Sequence, residues 1–264
     1  MTHFDFRGSQ IFYRVEGPQG APAVVLTHGA ILDSRSWDTQ VSALSENYRV
    51  LVWDLPGHGQ SDPVADFDTV VGADLLVGLM DHAGMPRASL VGLSAGGWIV
   101  QEVGVRYPDR VRGLACLATT PLTRSKMPKP VEWLLRHSAD FMRIVPYAIL
   151  RWFIARILTR ETTIRGYVQE AASRVNKRSF LTFWGGVTRS LRWEPEVSLP
   201  RPLLIARGEY DLIGAVRVLC DRWRKACPDA EYAIIPGAGH LANQDSPALT
   251  TSLLNDFLAH SRRD

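Results

Sequence analysis

The sequence predicts an α/β protein with a mostly parallel sheet covered by helices on both faces. The main observation is an alternation: short continuous apolar runs take turns with segments whose apolar residues recur three and four positions apart. The composition agrees. With 264 residues, 46% hydrophobic and 22% charged, the chain has ample material for a buried core and is not a disordered polymer.

The predicted strands are 23–27, 49–53, 88–93, 113–118, 202–206 and 232–235. Helical spacing marks 70–80, 98–105, 216–223 and 249–258. Residues 4–15 alternate with period two, as an antiparallel hairpin at a sheet edge does. One region breaks this rhythm. Between 121 and 199 there is no strand pattern, but helical spacing marks 131–136, 147–158, 164–174 and 180–188. Four of the eight tryptophans fall there, Trp133, Trp152, Trp184 and Trp193. Residues 120–200 carry 14 Lys/Arg against 6 Asp/Glu, a net of +8, which leaves −5 for the rest of a chain whose total is +3. The expected organisation is therefore a core domain, 1–120 with 200–264, and an inserted helical cap, 121–199.

A net charge of +3 with no dense basic run argues against a nucleic-acid partner. Residues 1–10 lack an apolar signal core. The most apolar later window, 146–158, is too short to span a bilayer and is interrupted by Arg151 and Arg156, so a cytoplasmic protein is expected. Cys116, Cys220 and Cys227 are odd in number and have no ligand spacing, which fits a reducing compartment without disulfides. There is no metal-binding motif and no lysine-bearing phosphate loop, so no metal and no cofactor are expected.

The chemistry concentrates at three strand ends. Val91-Gly92-Leu93-Ser94-Ala95-Gly96-Gly97 follows one predicted strand and opens a helix. In a G-x-S-x-G turn the serine sits on a strained bend, and its neighbours two residues away must be small because strand and helix pass close together. Ser94 is the candidate nucleophile, and the Ala95 amide at the helix start is a candidate oxyanion donor. A serine hydroxyl needs a base and a group to orient that base, expected in the order acid, then histidine. His240 lies in the glycine-rich loop after the last strand, and Asp211 follows the strand before it, with Glu209 as the rival acid. Both loops belong at the carboxyl edge of the sheet, where open α/β sheets place their sites. After the first parallel strand, His28-Gly29-Ala30 offers the Ala30 amide as a second oxyanion donor, with His28 expected to orient the loop. Residues 54–62 read as turn scaffold, with His58 a lesser rival base.

These motifs, together with Tyr107-Pro108-Asp109-Arg110-Val111 and Gly208-Glu209-Tyr210-Asp211, resemble the α/β-hydrolase superfamily from about residue 10 to 260, the insertion excepted. The elbow is similar to the esterase, enol-lactonase and cofactor-free haloperoxidase branch, although the latter two often carry methionine where Ala95 stands. The resemblance implies the α/β-hydrolase fold, with eight strands and the cap between the sixth and seventh. It also implies hydrolysis of a small-molecule carboxylic ester or lactone through a Ser94–His240–Asp211 triad and an acyl-enzyme. The same residues would serve carbon–carbon bond hydrolysis or a perhydrolase/haloperoxidase reaction. A non-catalytic ligand receptor on this scaffold is a third expectation. Trp133, Trp152, Phe153 and Trp184 are the candidate substrate contacts from the cap, whose basic residues suit an acidic substrate or else simple solvation. A homodimer is left open.

Overall fold

The computed structural model describes residues 2–123, 127–194 and 197–261. Its centre is one eight-stranded sheet in the order β1-β2-β4-β3-β5-β6-β7-β8. The hairpin β1 (Thr2–Phe6) and β2 (Ser9–Glu16) is antiparallel, as is the pairing of β2 with β4 (Arg49–Trp53). From β4 onward every pairing is parallel, through β3 (Ala23–Thr27), β5 (Ala88–Leu93), β6 (Val111–Leu117), β7 (Leu203–Gly208) and β8 (Glu231–Ile235).

Strand periodicity builds two cores from one sheet, because successive side chains leave opposite faces. Val24, Leu26, Val50, Val52, Val91 and Leu93 enter one cluster. Val25, Leu51, Trp53 and Leu90 enter the other. On the first face pack α1 (Asp38–Leu44) and α10 (Pro247–His260); on the second pack α2 (Thr69–His82), α3 (Ala95–Arg106) and α8 (Val216–Ala226). Among the described residues, no helix is long and apolar enough to cross a membrane.

The expected strands appear within one or two residues of their predicted ends. Two short helices, α1 and α9 (Ala242–Asp245), carry too few apolar positions to show a period and were not expected. Between β6 and β7 stand α4 (Lys129–Ile144), α5 (Tyr147–Leu158), α6 (Thr162–Arg174) and α7 (Lys177–Arg189). α4 extends well past 136, where its expected run ended. Of the span 121–199, residues 124–126 and 195–196 lie outside the described residues. Two polar anchors fasten this region to the sheet layer. The fully buried Glu102 on α3 takes the Arg192 guanidinium at 2.8 and 2.5 Å, and Arg35 bridges Asp33 to Glu170 on α6 at 2.7 and 2.9 Å.

Candidate active site

β5 runs straight into α3, and Ser94 is the residue between them. Its backbone, at φ 53° and ψ −120°, is in a region that non-glycine residues rarely occupy. The close passage that forces this bend is visible at the flanking glycines. A Cβ on Gly92 would come 2.5 Å from the Gly96 carbonyl oxygen, and one on Gly96 would come 2.4 Å from that of His28. Neither position admits a side chain. Ile31 and Ala118, in the loops after β3 and β6, also have positive φ, of 68° and 48°. Three strained L-residues therefore sit at adjacent strand ends, a pattern associated with functional loops.

His240 and Asp211 meet at this edge. His240 Nδ1 lies 2.8 Å from Asp211 Oδ2, with both side chains essentially inaccessible to water. The other carboxylate oxygen of Asp211 accepts the Ile213 amide at 2.8 Å, which fixes the carboxylate plane. A buried carboxylate acceptor at Nδ1 places the imidazole proton there and leaves Nε2 free to accept. Nε2 is buried and has no hydrogen-bond partner. His240 and Ser94 border the same cavity, of about 220 Å³. Glu209, the rival acid, instead accepts the Gly237 amide at 3.0 Å and braces the loop leading to His240. Asp245 steadies that loop from the other side. One of its oxygens accepts the amides of Gly239 at 2.7 Å and Arg160 at 3.3 Å, and the other accepts the Thr159 hydroxyl.

The loop after β3 lies against the elbow: a Cβ on Gly29 would come 3.1 Å from Ser94 Cβ. Ala30 follows at once, and Ala95 is the first residue of α3, where helix amides lack intrahelical acceptors. His28 holds this loop. Its Nδ1 donates to the Gly29 carbonyl at 2.7 Å and its Nε2 accepts the Leu55 amide at 2.9 Å, so the ring is neutral and has no free nitrogen. His58 is also enclosed: its Nδ1 lies 3.0 Å from the Pro56 carbonyl, its Nε2 is buried without a hydrogen-bond partner, and the Phe183 ring stands edge-on at 4.7 Å. It does not border the cavity.

Burial lowers the pKa of His28 to about 4 and that of His58 to about 3. Both rings are neutral in the folded state where the unfolded chain would be protonated. Their contribution is therefore intact above the ordinary histidine pKa near 6.5 and is lost as pH falls from there toward 4 and 3. At pH 5 the loss is about 2 kcal/mol for each ring. Thermal melts should show Tm falling by roughly 10 °C between pH 7 and pH 5. His58→Phe should remove about half of that fall, and an equal slope in the variant would contradict the assignment.

Of the four aromatic residues expected to contact substrate, Trp184 alone borders the cavity. Trp133, Trp152 and Phe153 lie outside its lining and are about half exposed, at 52%, 51% and 52%. Trp184 is thus the one of the four that the structure brings beside Ser94 and His240. On α4 the cavity face is Val131, Leu134, Leu135 and Ser138, a three-and-four spacing that leaves Trp133 pointing elsewhere. Trp152 packs under the Arg156 guanidinium instead. The sequence reading missed Trp98, one helical turn beyond Ser94 on α3, whose ring lies 6.0 Å from that of Trp184. Both indole N–H groups are satisfied, Trp98 by Thr120 at 3.1 Å and Trp184 by Ser138 at 2.7 Å, so the rings present apolar faces. Among the described residues, no Lys, Arg, Asp or Glu lines the cavity. Nor does any group of three His, Cys, Asp or Glu side chains stand where it could hold a metal ion.

Residues 24–252 match the sequence model of a family described as the Alpha/beta hydrolase family. Among curated proteins, the chain is 28% identical to a pimeloyl-[acyl-carrier protein] methyl ester esterase of Nitrosomonas europaea over 86% of its length and 91% of the relative's. Among solved structures it resembles a thermophilic esterase from Thermogutta terrifontis, with TM-score 0.81, 23% identity and coverage of 96% and 94% of the two chains. It also resembles the enol-lactonase from Burkholderia xenovorans LB400, with TM-score 0.76, 25% identity and coverage of 98% and 100%.

Proposed function

Since the chain belongs to the Alpha/beta hydrolase family, we propose that it is a serine hydrolase of small carboxylic esters or lactones, with Ser94 as nucleophile, His240 as base and Asp211 as orienting acid. The observation that carries this is the unpartnered Nε2 of His240, buried and bordering the cavity that Ser94 also borders, on a ring held from behind by Asp211. An imidazole so placed has one chemical task left, which is to take a proton. Ser94 attacks the carbonyl as Nε2 accepts the hydroxyl proton, and the negative charge that forms on oxygen meets the amides of Ala30 and Ala95. His240 then protonates the leaving alkoxide and activates the water that releases the acid.

In this reading, residues 121–199 are a cap closing the cavity opposite the elbow, and 1–120 with 200–264 are the body. The uncharged lining supports a substrate that is neutral around its reacting carbonyl. Among the described residues, none of the cap's arginines lines it. A receptor without turnover has no use for a serine in a costly backbone conformation, which supports catalysis over binding alone. The test is covalent. A fluorophosphonate probe should label the protein once, at Ser94, and His240→Ala should slow that labelling at least a hundredfold. An unlabelled wild-type protein would sink the proposal.

A further inference from the structure

The catalytic cavity has a neighbour. A second chamber of about 240 Å³ lies along α8, and Met127 and Leu219 line both it and the catalytic cavity. The partition between them is thus made at least in part of side chains. Leu219 and Met127 are only 4% and 6% exposed, and a methionine, unbranched and with three rotatable bonds, moves aside at little cost.

The two spaces share one continuous wall. Val216 and Leu219 of α8 face the catalytic cavity, and Leu219, Trp223 and Ala226 face the chamber, an i, i+3, i+7, i+10 succession along one side of the helix. Across from them the chain passes from Thr120, on the cavity, to Pro121 and Leu122, on the chamber. Gln101 pins that passage from α3, donating to the Thr120 carbonyl at 3.0 Å and accepting the Leu122 amide at 2.8 Å. The chamber's remaining walls are chiefly apolar, and it meets solvent at the exposed Arg222 and Ala226. Size is the second argument. At about 220 Å³ the catalytic cavity is below the ~300–1,000 Å³ usual for a small-molecule site, while cavity and chamber together fall within it.

We propose that the chamber behind Met127 and Leu219 is a distal subsite for a linear alkyl chain, entered from the catalytic cavity, so that the enzyme favours medium-chain over short-chain esters. This rests on the ester-hydrolase reading. The chain is bound by apolar burial, and it is carried by either the acyl or the alcohol half of the ester.

Cys227 provides a way to block the chamber without altering the sequence. It is half-buried and lines the chamber but not the cavity. The other two thiols are buried, with Cys220 pushed up to about 12 and Cys116 also raised, so both are poor nucleophiles. The full chain is treated with N-phenylmaleimide, and a single adduct at Cys227 is confirmed by mass. kcat/KM is then measured for p-nitrophenyl butyrate and octanoate, and in a second arm for butyl and octyl acetate. The octyl-to-butyl-length ratio should fall about tenfold in one arm, which identifies the half of the ester that carries the chain. Treated Cys227→Ser should keep the untreated ratio, and Leu219→Ala should raise it severalfold. If Cys227 resists labelling, Ala226→Trp supplies the block. A ratio unmoved by the block in both arms overturns the subsite while leaving the hydrolase intact. Absence of turnover, or turnover that survives Ser94→Ala, overturns the underlying reading and the subsite with it.

Discussion

Ser94→Ala should lower kcat/KM for p-nitrophenyl butyrate by on the order of 10⁵-fold or more, with the folded structure unchanged. The size follows from the lack of a substitute. Other hydroxyls border the cavity, but Thr120 accepts the Trp98 indole and Ser138 accepts that of Trp184. Thr119 Oγ1 is buried without a partner, yet it belongs to the loop after β6 and presses on Gly97 rather than projecting from the bend. What remains is polarisation by the backbone amides together with binding, worth about 10³- to 10⁴-fold over water. Alanine carries the same Cβ through the same φ of 53°, so strain is not relieved and Tm should stay within about 3 °C. Stopped assays with intact-mass and melting controls measure both. A variant retaining one per cent of activity would move the nucleophile elsewhere.

Asp211→Asn should cost about 10³- to 10⁴-fold in kcat and leave KM nearly unchanged. An amide in place of the carboxylate can donate to Nδ1, which leaves the imidazole proton on Nε2, the atom that must accept from serine. The Oδ1 bond from the Ile213 amide, now 2.8 Å, can persist, so the loop keeps its shape. Asp211 does not border the cavity, which is why binding should be spared. A rise in KM with kcat intact would make Asp211 a structural brace for residues 211–213 and would remove it from the proton path.

The elbow was legible because everything it requires is local: a strand, a helix and two glycines at the spacing the bend imposes, all within seven residues. Asp211 and His240 were legible for a related reason. Parallel strands bring their carboxyl ends to one edge, so loops far apart in the chain can be assigned to one neighbourhood before any distance is known. The cavity wall is different. Its aromatic members were chosen by residue type, and type does not tell which way a helix faces. On α4 the productive face is the aliphatic set at 131, 134 and 135, which period counting from Val131 would have shown, whereas Trp133 is rotated away from it. Trp98 was open to a similar argument, since four residues on from Ser94 is one turn up the same helix. The placement of α4 and α7 against α3 and α8 is tertiary, and no local pattern encodes it.

Asp245 joins two parts of the molecule that the chain keeps far apart. Its carboxylate holds the Gly239 amide, next to His240, and, through Thr159 and Arg160, the outgoing end of α5. Any shift of that helix is therefore a pull on the loop that carries His240. The placement of one helix and the aim of one ring thus hang on a single carboxylate, and a substitution at either end is expected to register at the other.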